Sequence, residues 1–125
     1  MTQLRISFKG GCEVLVALRE DGTDTVERLA SAVPFKAKAN RWGDEVYFDT
    51  PVAAGLERDA RAEMAVGDVA YWPDGHALAL FFGPTPVSTD GKPRAYSPCN
   101  IVGRIVGDAT VLRCVNSGDS LEVTL

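Results

Sequence analysis

The sequence predicts one mainly-β domain over residues 1–125, in which the strands close into a barrel with two short helices. Short segments that alternate apolar and polar residues recur along the chain, and this period is typical of half-buried strands. Only two segments carry helical signals, so an antiparallel or mixed sheet is favoured over a doubly wound one. A last strand that pairs with the first would remove the exposed edges of such a sheet. A chain of 125 residues is also an ordinary size for a single domain.

The first third of the chain predicts a hairpin followed by a helix. Residues 3–9 alternate apolar and polar side chains, Gly10-Gly11 supplies a permissive two-residue turn, and residues 12–18 return as the partner strand. Asp24 can cap a helix together with Glu27, because this spacing forms a capping box. Apolar residues then follow at helical spacing, as Val26, Leu29, Ala30 and Val33.

The rest of the chain predicts short strands that are bounded by turn residues. These strands cover residues 35–41, 44–52, 67–72, 77–82, 101–106 and 121–125. The segment 77–82 is almost entirely apolar, which is typical of a strand covered on both faces. A short helix is predicted over residues 109–115. Residues 53–66 fit a loop or a short helix, and residues 87–98 have the composition of a loop.

Charge and cysteine content exclude several classes of partner. The net charge of −4 and the scattered basic residues give no electrostatic footprint for nucleic acid or an anionic membrane. No apolar run approaches the roughly 20 residues that span a bilayer. Three widely spaced cysteines, Cys12, Cys99 and Cys114, form no CxxC pair, so neither a zinc site nor a disulfide framework is indicated. We therefore expect a cytoplasmic protein with reduced thiols, no metal and no cofactor.

Most enzyme classes also lack support. The sequence contains no nucleophile elbow and no glycine-rich phosphate loop, so hydrolase and nucleotide-binding functions are not indicated. The single histidine, His76, follows Pro73-Asp74-Gly75 and is expected in a turn rather than at a catalytic centre.

Four segments resemble a known family over nearly the whole chain. They are residues 40–48 (NRWGDEVYF), 67–73 (GDVAYWP), 80–86 (LFFGPTP) and 100–107 (NIVGRIVG). Together they resemble the small bacterial and archaeal cyclophilin-like proteins of unassigned function. The resemblance implies a compact cyclophilin barrel, in which a closed eight-stranded sheet has a helix over each open end.

A more distant similarity to true cyclophilins points to individual residues. Residues 39–41 (ANR) resemble the strand of the catalytic arginine, which implies a catalytic position for Arg41. Residues 79–82 (ALFF) resemble the strand that places a phenylalanine in the floor of the proline pocket, which implies that role for Phe82. Arg41 could otherwise simply pair with Asp44 or Glu45 at a strand end.

The sequence also departs from true cyclophilins in the peptide groove. Residues 71–74 (YWPD) stand where the groove has Met-Ala-Asn-Ala, and Trp72 is bulky enough to fill or reshape the pocket. The groove histidine falls near Cys99 or Asn100, and the groove glutamine falls near Phe48 or Asp49. The candidate ligand-binding residues are Arg41, Trp42, Tyr47, Phe48, Tyr71, Trp72, Phe82 and Asn100. The aromatic members could instead be core residues.

Three functions are compatible with these residues. The first is a binding module that takes a small molecule or a short peptide in a degenerate groove. The second is a weak peptidyl-prolyl isomerase, in which Arg41 would donate to the twisted amide. The third is a structural or assembly protein without a ligand. The sequence does not predict an oligomeric state.

Overall fold

The computed structural model describes residues 2–125, so the first residue of the predicted domain, Met1, lies outside the described residues. It contains ten strands and one α-helix. Their bounds are β1 Gln3–Phe8, β2 Glu13–Leu18, α1 Asp24–Ala32, β3 Phe35–Lys38, β4 Asn40–Arg41, β5 Glu45–Asp49, β6 Arg61–Glu63, β7 Asp68–Trp72, β8 Ala77–Phe81, β9 Arg94–Val106 and β10 Ser120–Thr124. Two short 3₁₀ helices cover Pro73–Gly75 and Ala109–Cys114. No helix within residues 2–125 has the length and apolar character needed to cross a membrane.

The strands form one antiparallel sheet in the order β3-β10-β1-β2-β9-β7-β8-β5-β4, with β6 paired to β9 outside this path. The first and last strands are neighbours as predicted, and Ile6 lies opposite both Val14 and Val123. The sheet has ten strands rather than the predicted eight. Because strands predominate and only short helices accompany them, the predicted mainly-β class is confirmed.

The predicted closure of the barrel is wrong, because the sheet runs open from β3 to β4. These two strands are consecutive in the chain, with only Ala39 between them. Ala39 still bonds toward the β10 side, through Asp119 O at 2.8 Å and Gly118 N at 2.8 Å. The next residue, Asn40, pairs with Tyr47 of β5. The backbone thus changes partner at Ala39, and the two ends of the sheet are joined by the chain itself instead of by a hydrogen-bonded ladder.

The two predicted helices are present with altered detail. The N-cap of α1 is Thr23, whose hydroxyl accepts from Val26 N at 3.4 Å, while the predicted cap, Asp24, is the first helical residue and pairs with Arg28. Thr23 takes the cap because it has extended backbone angles, which the cap position requires. The second helix is a 3₁₀ helix that begins after Asp108.

Strand β9 extends further toward the N-terminus than predicted, since residues 94–98 belong to it and not to a loop. Its added half pairs with β6, where Arg61 lies opposite Cys99 and Glu63 opposite Arg94. The strand β6 lies in the segment 53–66, which is otherwise irregular. A short pairing of this kind leaves little local signal, because its paired residues are 31 and 38 positions apart in the chain.

Strand alternation divides the buried side chains between two faces of the sheet. The inner face carries the large cluster, called here the inner cluster, and α1 and the 3₁₀ helix at Ala109–Cys114 pack against it. Its members on the strands include Leu4, Ile6, Val16, Phe48, Tyr71 and Leu80. The outer face carries a smaller cluster, called here the outer cluster, on β5, β7, β8, β9 and the residue after β6. Its buried members are Met64, Ala70, Ala79, Phe81, Ala95 and Cys99, with Tyr47, Trp72 and Ile101 packed against them. The candidate site lies on this outer face.

Candidate functional site

A cavity of about 280 Å³ opens on the outer face of the sheet. Its walls are mainly aromatic and its floor is mainly alanine. The lining residues are Trp42, Glu45, Tyr47, Trp72, Ala77, Ala79, Phe81, Ala95, Tyr96 and Cys99. A cavity of this size is close to the lower end of the range for small-molecule sites, which is about 300–1,000 Å³.

The cavity arises because small residues on one strand face large residues on its neighbours. Ala77 and Ala79 of β8 point to the outer face and lie opposite Trp72 and Tyr47 respectively. The methyl groups of the alanines leave space that the flanking rings enclose. Side chains two residues apart on a strand share a face. Glu45 of β5 and Phe81 of β8 therefore line the same cavity as Tyr47 and Ala79.

Tyr96 forms the rim of the cavity. Its side chain is exposed, with 74% of the residue surface open to solvent, and its ring stands nearly edge-on between two tryptophans. The ring centroids lie 6.3 Å from Trp42 and 6.2 Å from Trp72. The indole of Trp72 is held in turn by a hydrogen bond from Nε1 to Ser97 Oγ at 2.7 Å. The rim is therefore ordered by ring contacts and one polar bond.

A glycine allows Trp72 to take this position. A Cβ atom at Gly75 would lie 2.5 Å from two carbons of the indole ring, which is far inside van der Waals contact. The 3₁₀ turn at Pro73–Gly75 thus brings bare backbone against the ring. Trp72 consequently packs at the edge of the cavity and does not fill it.

Glu45 places a carboxyl group inside the aromatic cavity. The residue is only 7% exposed, and its Oε1 atom is buried without a hydrogen-bond partner in the described part of the chain. Burial raises the pKa of Glu45 to about 8, because the apolar surroundings disfavour the charged form. Burial, together with the nearby charges of Glu45 and Asp74, also raises the pKa of the Cys99 thiol to about 12.

Three of the candidate residues from the sequence line the cavity, namely Trp42, Tyr47 and Trp72. Phe48, Tyr71 and Phe82 lie instead in the inner cluster. Each of these three is adjacent in the chain to a lining residue and therefore points to the opposite face of the sheet. The hydroxyl of Tyr71, for example, donates to Val52 O at 2.5 Å within the core.

Arg41 also lies apart from the cavity. It shares a face with Ala39 of the inner cluster, and its guanidinium stands 4.9 Å from the centroid of the Phe82 ring. Its Nη1 atom donates to Val115 O at 2.9 Å, and its Nε atom donates to Gly43 O at 3.2 Å. A weaker pairing with the carboxylate of Asp44 spans 3.6 Å. These contacts tie β4 to the end of the 3₁₀ helix at Ala109–Cys114.

Asn100 is fully buried and cross-links three segments. Its amide nitrogen donates to Thr25 Oγ1 at 3.0 Å and to Gly55 O at 2.8 Å, and its amide oxygen accepts from Glu57 N at 2.8 Å. None of these three partners lines the aromatic cavity. They anchor the irregular segment 53–60 and the first turn of α1 to β9.

The lining residues that the sequence analysis missed are Glu45, Ala77, Ala79, Phe81, Ala95, Tyr96 and Cys99. The alternation of β5 carries a signal for the first of them, because Glu45 and Tyr47 are two residues apart and must share a face. Tyr96 lies in the segment 87–98, which has the composition of a loop. Within residues 2–125 no three acidic, histidine or cysteine side chains lie close enough to hold a metal ion.

Comparison with known proteins supports one family. The model of the family described as "Cyclophilin-like" matches residues 2–124. The solution structure of the hypothetical protein AF2241 from Archaeoglobus fulgidus is similar, with 45% sequence identity and a TM-score of 0.82 over 98% of this chain and 92% of that chain. No curated protein matches the chain. The chain therefore belongs to the cyclophilin-like family.

Proposed function

We propose that this protein is a binding module that takes a small, largely apolar molecule in the cavity of the outer face. The observation that carries the proposal is the preformed cavity of about 280 Å³ with four aromatic side chains at its walls and rim, Trp42, Tyr47, Trp72 and Tyr96. Such a concave, mainly apolar site with few polar groups is typical of small-molecule recognition. The three free cysteines are compatible with the reducing cytoplasm that the sequence predicts.

Aromatic surface is exposed to solvent at the cavity mouth. Tyr96 is largely exposed to water, although Ala95 and Cys99 of the same strand are buried. A ligand that covers apolar surface gains about 25 cal/mol for each Å² removed from water. The ordered rim has already lost part of its conformational freedom, so the entropy cost of binding is reduced.

The two tryptophans make the proposal directly testable. The chain contains only two tryptophans, and both line the cavity, so intrinsic fluorescence reports on occupancy. A panel of small aromatic and aliphatic compounds should include some that change this fluorescence and raise the unfolding temperature. A ligand present at 100 times its dissociation constant adds about 2.7 kcal/mol to folding stability.

A variant that fills the cavity provides the control. In Ala79→Leu the added carbons would occupy the floor, and the compounds that bind the wild type should no longer bind. In Ala53→Leu the same change falls on an exposed position outside the cavity, so binding should persist. Compounds that bind Ala79→Leu as well as they bind wild type would place the ligand elsewhere. A complete lack of response in a broad panel would remove the binding proposal and favour a structural role.

A further inference from the structure

Glu45 buries a carboxyl oxygen, Oε1, where residues 2–125 offer it no hydrogen bond. The residue lines the cavity, it is more than nine-tenths buried, and no donor within the described residues reaches its Oε1 atom. Glu57 has a similarly unpartnered Oε1 atom, but its Oε2 atom accepts from Thr25 N at 3.0 Å and from Thr25 Oγ1 at 2.7 Å. A carboxyl group without such compensation is costly to bury, so its position calls for an external partner.

The surroundings of Glu45 indicate the chemistry of that partner. The electron-rich faces of aromatic rings attract cations, and Trp42, Tyr47 and Trp72 all stand around the same space. A metal ion would need several oxygen ligands, whereas this cavity offers one carboxylate. An organic cation instead needs only one counter-charge and apolar contact for its carbon groups.

We propose that the ligand carries an alkylammonium group that pairs with the Glu45 carboxylate and contacts the aromatic walls of the cavity. This inference rests on the proposed binding function and specifies its ligand class. The ammonium carbons would contact the rings, and the positive charge would lie beside Glu45 at the floor. The group could belong to a free small amine or to a methylated lysine side chain, since both present the same chemistry.

Binding of such a cation should release a proton. The raised pKa of Glu45 means that its carboxyl group is largely protonated at neutral pH when no cation is bound. The carboxylic proton leaves to solvent as the ammonium group takes its place, so charge and protons balance. The other titratable groups that line the cavity are the Tyr47 and Tyr96 phenols and the Cys99 thiol, and Asp74 lies near that thiol. Affinity should therefore rise as the pH increases toward about 8.

A pair of probes with the same shape separates the charge from the fit. Choline carries a trimethylammonium group, and 3,3-dimethyl-1-butanol replaces its nitrogen with carbon and has no charge. Titration of the full chain, followed by tryptophan fluorescence and calorimetry, should show choline binding about 10-fold or more tightly than the alcohol. Glu45→Gln should abolish the proton release and reduce this preference to the part that the aromatic rings alone supply. Glu122→Gln, on the exposed face of β10, should retain both.

Each outcome has a distinct meaning. Equal binding of the two probes, or a preference for the alcohol, would overturn the alkylammonium inference while leaving the cavity as a site for apolar ligands. Failure of both probes and of the wider compound panel would overturn the binding function itself. A choline preference that is undiminished in Glu45→Gln would also overturn the assignment to Glu45. A short peptide with one trimethyllysine, compared with choline, distinguishes a ligand on a chain from a free amine.

Discussion

Replacing Glu45 with glutamine should change how folding stability depends on pH. Burial raises the pKa of Glu45 from 4.5 to about 8 in the folded protein, so the folded state holds a proton that the unfolded chain has already released. Stability is then fully present below pH 4.5 and falls as the pH rises toward 8. This is the direction expected for an acid whose pKa is raised by folding.

The magnitude follows from the width of that window. Each pH unit between the two pKa values lowers the free energy of unfolding by about 1.4 kcal/mol. From pH 4.5 to about 8, the wild type should lose on the order of 5 kcal/mol of unfolding free energy through Glu45 alone. The glutamine variant has a similar shape but cannot ionise, so it should lack this loss. Its amide carries a desolvation cost of about 1–3 kcal/mol, but that cost does not change with pH.

Urea unfolding at a series of pH values measures the effect, and urea is suitable because it adds no salt that would screen charges. The difference in unfolding free energy between Glu45→Gln and wild type should grow steadily as the pH rises toward 8 and then level off. Glu122→Gln provides a matched control, because its carboxylate is exposed and its loss should leave the pH profile unchanged. Parallel profiles for wild type and Glu45→Gln would show that the carboxyl group is solvated, and the reasoning would fail.

Three further predictions concern the buried amide of Asn100, the three thiols and the guanidinium of Arg41. Asn100→Ala should lower the unfolding free energy by about 3 kcal/mol, since it loses three buried hydrogen bonds. The same change at the exposed Asn116 should alter the unfolding free energy by less than about 0.5 kcal/mol. Similar urea midpoints for the two variants would contradict the role of Asn100 as a cross-link. Thiol labelling at pH 8, followed by mass spectrometry, should find Cys114 modified first, because its side chain is exposed. Burial raises the pKa of the Cys12 and Cys99 thiols to about 12, so these thiols should react slowly. Equal labelling of all three cysteines would show that Cys12 and Cys99 are exposed to solvent. Isomerisation of an X-Pro peptide should proceed at the uncatalysed rate with wild type and with Arg41→Ala, because the guanidinium already donates to backbone carbonyls. Acceleration by the wild type but not by Arg41→Ala would instead place Arg41 in an isomerase site.

The candidate site shows where reasoning from sequence reaches its limit. Adjacent strand residues face opposite sides, so of Phe81 and Phe82 only one can line an outer cavity. Both faces of β8 are buried, and the local pattern therefore gives no indication of which face encloses a cavity. Glutamate on a strand is usually exposed to solvent, so the sequence gives no sign that Glu45 is buried. Its burial depends on β9, whose Tyr96 and Cys99 lie more than fifty positions later in the chain.

The first turn has three residues, 9–11, rather than the predicted two, since Phe8 N donates to Cys12 O at 2.8 Å. The sequence by itself nevertheless determined most of the strands, the pairing of β1 with β2, the helix α1 and the pairing of the first and last strands. These features follow from local periodicity, turn residues and the need to cover sheet edges, which act over a few neighbouring positions. Only the tertiary structure decided the open path at Ala39, the long strand β9, and the roles of Arg41 and Asn100 as cross-links. Their partners lie as many as eighty positions away in the chain, as Asp119 does from Ala39. Hydrogen bonds and desolvation at such separations depend on packing that no local pattern records.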